Sequence, residues 1–186
     1  MFEDSNYTKL TEAQLDPKSL NALDEFLGCE LAGGGLRLRP ILPGKTSEED
    51  EVRPGYLVLA PVVMDEKKFY WPAIVEFSPG PDVHYVKDEE EKDGETGLSK
   101  KYYFVTLITV ERKAFYGSWV DAESLKPFNW LSCPQACEAS HINAATEVFE
   151  YVKQHVFMSL RDRILRLSFL AFVAISRAIR RQEVIV

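Results

Sequence analysis

Gly55-Tyr56-Leu57-Val58-Leu59-Ala60 and Phe69-Tyr70-Trp71-Pro72-Ala73-Ile74-Val75-Glu76-Phe77 are two short runs of apolar, aromatic and β-branched residues. The first is stopped by Pro61 and the second by Ser78-Pro79-Gly80. Such side chains fit a pleated, half-buried surface, and the Pro and Gly that follow interrupt a ladder, so strands are predicted over 56–60 and 73–77. Further on, 101–109 is rich in the same residue types, and 114–120 follows the polar turn Glu111-Arg112-Lys113 as the second arm of a hairpin. Four or five short strands separated by turns predict a small barrel. Between the second and third strands, the charged run 87–95 offers almost nothing apolar to bury, and 86–97 is predicted to be a mobile excursion.

Helical signals lie on both sides of this β region. Asp16 followed by Pro17, then Leu20, Leu23, Phe26 and Leu27, predicts a capped helix over 16–27. Gly33-Gly34-Gly35 and the Pro40 to Pro43 region then break regularity, and the acidic run 46–51 reads as a linker. After Pro127, Ser132 or Cys133 can cap a helix beginning at Pro134, and Ala145, Val148, Phe149, Val152 and Val156 mark its buried face. A last helix over 160–181 begins amphipathic and turns apolar on every side. The fold class is therefore α+β: an N-terminal helical extension over 1–52, a five-stranded β-barrel over 53–128, and packed C-terminal helices over 129–186.

Composition narrows the function. With 46% hydrophobic and 27% charged residues, the chain of 186 residues is globular in class. Its net charge is −7, and only 129–186 carries more Lys and Arg than Asp and Glu. Phosphate neutralisation scales with the number of basic contacts, so nucleic acid is at most an accessory ligand. Three cysteines, and a start without the basic and apolar regions of a secretory signal, predict a reducing intracellular compartment. The apolar run 167–176 is shorter than the roughly 20 residues that span a bilayer, so no membrane is expected and burial against the barrel or a second copy is.

The two runs quoted first resemble the PWWP domain. In that family the first strand reads roughly Gly-Asp-x-Val-x-Ala and the second begins Pro-Trp-Trp-Pro-Ala-x-Val. Gly55, Val58 and Ala60 match the first pattern, and Trp71, Pro72, Ala73 and Val75 the second. The segment 119–128 and the helical pattern 144–152 follow in family order, so the resemblance covers roughly 53–155. It implies a Tudor-like barrel that is not an enzyme, needs no cofactor and works in the nucleus. It also implies a histone or nucleosome partner, bound through an aromatic cage for a methylated lysine and a basic surface for DNA. A quaternary ammonium has no hydrogen to donate, so ring faces hold it.

Trp71 takes the family's cage position. Lys68 stands where a second aromatic wall is usual, in a loop 65–68 that reads as longer than the family's, and Leu107 and Ile108 stand where the third wall is usual. Phe69 or Tyr70 is then the candidate second wall, with Tyr116 or Trp119 approaching from the opposite hairpin. The plain alternative makes Trp71 and Trp119 barrel core. Lys67, Lys68, Lys100, Lys101, Arg112 and Lys113 lie at loop and strand ends and are the candidate DNA contacts. A rival function is a protein-interaction subunit that keeps a degenerate barrel and docks, or self-associates, through 160–181.

Other chemistry finds little support. Cys133, Cys137 and His141 share helical spacing, with Cys29 as a notional fourth ligand, but structural zinc sites draw on two knuckles, and no metal is expected. The same residues have no orienting third group for nucleophilic catalysis. Gly44-Lys45-Thr46 resembles the end of a phosphate loop, yet Arg39 occupies the position of the required glycine.

Overall fold

Asp65 and Glu66 both take left-handed backbone, φ 51° and 61°, and turn the first hairpin in two residues in the computed structural model. The structure describes residues 1–32, 52–81, 83–90, 99–134 and 141–183. A two-residue turn of this hand matches the twist of paired strands, and it joins β2 (Leu57–Met64) to β3 (Lys67–Val75). The expected long loop 65–68 is therefore corrected, since Lys67 and Lys68 belong to β3. Pro61 does not end β2 either. It pairs with Tyr70 in the ladder, and its carbonyl accepts from the Tyr7 hydroxyl at 3.1 Å.

The other strands are β1 (Thr8–Leu10), β4 (Val86–Glu90), β5 (Ser99–Leu107), β6 (Phe115–Asp121) and β7 (Lys126–Pro127). All pair antiparallel, in the open order β1-β6-β5-β3-β2-β7 with β4 added to β5. Five strands were expected in a closed barrel; the described residues form seven in an open sheet. Three of them, β1, β4 and β7, carry no apolar run. β4 falls in the predicted excursion, where 86–90 is strand because Lys100 and Lys101 of β5 stand opposite Glu89 and Asp88. The remainder, 91–98, lies outside the described residues.

Helices α1 (Pro17–Ala32), α2 (Ile142–Lys153), α3 (Leu160–Leu167) and α4 (Phe169–Glu183) complete the architecture. Ala145, Val148, Phe149 and Val152 of α2 are buried, as their spacing predicts. That helix starts at Ile142 and not at Pro134, which is irregular, and 135–140 lie outside the described residues. The helix expected over 160–181 is two helices. Ser168, extended at ψ 151°, ends α3, and its hydroxyl accepts from the Ala171 amide at 3.0 Å as α4 starts. Glu76, buried beyond β3, accepts from the Phe169 and Leu170 amides at 2.9 and 3.2 Å, and the Arg112 guanidinium donates to the Ser168 carbonyl at 3.3 Å. One carboxylate thus caps the positive end of α4 and sets the bend.

Residues from all three sequence regions share one core, including Phe2 and Leu23, Trp71 and Val105, and Phe149 and Leu170. Arg163 sits inside it with no carboxylate partner among the described residues. Its Nε donates to the His155 carbonyl at 3.0 Å, and its other nitrogens to the carbonyls of Val156 and Gly55, fastening the end of α2 to the entry of β2.

His155 gives the fold a pH dependence. Burial, with the guanidiniums of Arg166, Arg163 and Arg112, holds its pKa below the ordinary 6.5, against the opposing Tyr151 carbonyl 2.9 Å from Nδ1. The unfolded imidazole takes a proton as pH falls through 6.5 while the folded one resists, so this stability is present above 6.5 and lost below it. Urea unfolding at about pH 7.5 and about pH 5.5 is expected to show a larger acid loss for the native protein than for His155→Gln. Equal losses would remove His155 as the cause.

Candidate functional site

Successive residues of a strand point to opposite faces, so β3 sends Phe69 and Trp71 to one side of the sheet and Tyr70 to the other. The inner side is the buried one: Phe69 is 6% and Trp71 1% exposed, whereas Tyr70 is half-buried. The Trp71 indole donates to the Ile108 carbonyl at 2.8 Å, and its ring meets Phe69 edge-on at 6.3 Å. Ile108, read in the sequence as a missing wall, orients the tryptophan through its backbone.

The open side of Trp71 is filled from an unexpected place. Phe2, 1% exposed, stands edge-on to Trp71 at 5.1 Å and to Tyr116 at 5.6 Å. Residues 1–10 form an arm that holds it there. The Tyr116 hydroxyl donates to Glu3 at 3.1 Å, and Asn6 exchanges two hydrogen bonds with Val63, at 2.8 and 3.3 Å. Tyr7 reaches Pro61, and β1 adds to the edge of β6 in the register Thr8↔Gly117. Gly117 makes that approach possible, because a Cβ there would lie 2.8 Å from the Phe104 ring and 2.9 Å from Leu10. The Met1 ammonium and the Tyr116 hydroxyl hold the Glu3 carboxyl down at about 2.

Two of the five predicted rings, Trp71 and Tyr116, thus meet one phenyl group supplied by the chain itself, and a third, Phe69, packs against Trp71. No protein-family model matches the sequence, and no curated protein does either.

Tyr70 and Trp119 belong elsewhere, and each already carries a cation. Lys126 Nζ lies 3.8 Å from the Tyr70 ring centroid, with Lys68 at 5.7 Å, beside an open hollow of about 310 Å³ lined by Leu59, Pro127, Asn129 and Leu131. Trp119 meets Phe104 edge-on at 5.5 Å, and Lys87 Nζ sits 4.9 Å from its ring and 5.6 Å from that of Tyr102. A lysine over an aromatic face shows that both surfaces suit cations.

The basic candidates divide as well. Lys67 and Lys68 are exposed at the start of β3, and Lys68 shares the Tyr70 ring with Lys126. Lys100 and Lys101 are exposed but stand opposite acidic residues, and Lys113 pairs with Glu111 at 2.8 Å. Arg112 is turned inward between Phe115 and Phe172, 5.7 and 5.4 Å from their centroids, and burial lowers its pKa. Of the notional metal ligands, Cys133 is exposed and His141 precedes α2, while Cys137 and the Cys29 side chain lie outside the described residues.

Sequence reasoning missed Phe2, Lys87 and Lys126. Phe2 is one apolar residue in a polar segment, without periodicity to mark it, and the lysines carry no pattern until the ladder sets them beside rings.

Proposed function

We propose that the chain is a non-enzymatic, nuclear binding module of the PWWP-like, Tudor-like class, a reader of methylated lysine on a histone tail with an accessory contact to nucleosomal DNA. The observation that carries this is the convergence of Trp71 and Tyr116 on the Phe2 side chain, with Phe69 packed against Trp71. A trimethylammonium group, about as bulky as part of a phenyl ring, has the polarity such a pocket favours. Connectivity supports the class. Strands β2, β3, β5 and β6 follow one another in a meander, and after the 3-10 turn Ala122–Ser124, β7 returns beside β2. That is the order in which a five-stranded barrel of this type is wound.

Lys67 and Lys68, with Lys126, are the proposed phosphate contacts, since all three are exposed and Lys68 and Lys126 meet at one ring. So few contacts on a chain of net charge −7 give weak binding. Duplex DNA affinity is expected to fall by an order of magnitude or more between about 50 and about 200 mM salt. Tight, salt-indifferent binding would contradict this assignment.

The central test is titration with a trimethyl-lysine peptide and its unmodified counterpart, followed by the Trp71 indole N–H resonance. The methylated peptide is expected to bind several-fold more tightly, with the preference lost in Tyr116→Leu. Equal response to both peptides, in the native chain and in Phe2→Ala, would sink the proposal.

One observation favours the rival interaction role. Along α4, Phe172, Ile175 and Ile179 are 37%, 46% and 52% exposed, although Phe169, Leu170 and Val173 are buried. The final helix therefore covers only part of its apolar surface on this sheet and leaves a stripe at helical spacing. No helix of the described residues is long and apolar enough to cross a membrane.

A further inference from the structure

The pocket and the arm were described above as parts of one core, but they differ in how they are held. Phe69 and Trp71 come from β3, which pairs with β2 along the first hairpin and with β5 at its end, and Tyr116 comes from β6, where its ladder partner is Lys9 of the arm. The arm has three residues of edge strand, the Asn6–Val63 exchange, and hydroxyl contacts at Tyr7 and Glu3. It buries Phe2, Tyr7 and Leu10 in the core, of which Phe2 is the most fully covered. An edge segment with so few bonds opens at lower free energy than a central strand.

We propose that residues 1–10 are a detachable internal ligand of the aromatic pocket. In the closed state Phe2 fills the space that an external ligand needs, and the bonds of Asn6 and Tyr7 to β2 set how often the arm leaves. The inference rests on the cation-binding role proposed for the pocket only for the identity of the outside ligand; the gate itself follows from the position of Phe2.

Three observations agree on this. Phe2 packs at steep angles against both Trp71 and Tyr116, so its side chain occupies the space between two rings of the kind that hold a cation. The arm arrives from far away in sequence, so its removal leaves the β2 to β7 ladder intact. Its contacts to Pro61 and Val63 lie on β2, outside the ring cluster, so the latch can be loosened without touching the pocket. External affinity is then the affinity of the open pocket scaled by the fraction of molecules that are open.

The test uses the full chain throughout, with choline as the cationic probe and 3,3-dimethylbutan-1-ol as its uncharged isostere, read by the Trp71 indole N–H resonance. Phe2→Ala, which empties the pocket, is expected to bind choline at least about tenfold more tightly than the native chain. The latch variant Asn6→Ala with Tyr7→Phe is expected to fall between the two, and Phe2→Leu, which refills the space, to match the native chain. If Phe2→Ala takes up the alcohol and not choline, the gate stands and the methyl-lysine role falls. If choline binds equally to all four proteins, the gate falls and that role stands. If Phe2→Ala loses the dispersed Trp71 signal through unfolding, the latch variant decides, and no gain there overturns the proposal.

Discussion

Gly55→Ala is expected to cost about 2–6 kcal/mol, enough to bring a domain of ordinary stability close to unfolding at room temperature. Two effects add at this residue. Its backbone has φ 94°, where an L side chain is strained, and an added Cβ would stand 2.7 Å from the Leu160 carbonyl oxygen and 3.1 Å from its Cα. Those are backbone atoms at the start of α3, so no rotamer change relieves the clash. The same glycine donates to Val75 at 2.8 Å and accepts from Arg163, so moving it disturbs both β3 and the buried guanidinium. Urea unfolding measures the cost, and a loss below about 1 kcal/mol would show that α3 shifts freely against β2.

Glu76→Ala is the second large effect, also about 2–6 kcal/mol, because it leaves the Phe169 and Leu170 amides buried without an acceptor at about 1–3 kcal/mol each. Glu76→Gln keeps one acceptor and is expected to lose less. Burial raises the Glu76 pKa above 4.5, with the two amides of α4 pulling the other way. For a raised carboxyl the stabilising contribution is complete below 4.5 and declines as pH climbs through the folded value. The native chain is therefore expected to lose ground relative to Glu76→Gln as pH rises from about 4.5 to neutrality. An advantage that grows over the same range would show that the helix terminus outweighs desolvation.

These two residues also show where sequence reasoning stopped. Gly55 was visible as part of a strand motif, but only the packing of Leu160 explains why a glycine stands there. The break at Ser168 was hidden because apolar residues continue on both sides of it, and its cause is Glu76, remote in the chain. The central strands were legible from their aromatic and β-branched runs, as was the buried face of α2. β4 was not, since its residues pair through charge and burial patterns carry no trace of that. Strand alternation separates Tyr70 from Trp71, although the sequence reading kept Tyr70 as a candidate wall beside it, and the meeting of Trp71 and Tyr116 at Phe2 needed the tertiary fold. Phe2 could not be found at all from periodicity, because a single side chain has no period.

The distance between Phe2 and its partners also shapes how the chain is made. Glu3 meets Tyr116 across 113 positions, and a polypeptide leaves the ribosome from its first residue onward at roughly 5–20 residues per second. The arm must therefore wait, for several seconds at least, until β6 has emerged. During that interval the nascent β2–β3 hairpin presents Trp71 and Phe69 without the ring that covers them in the finished fold.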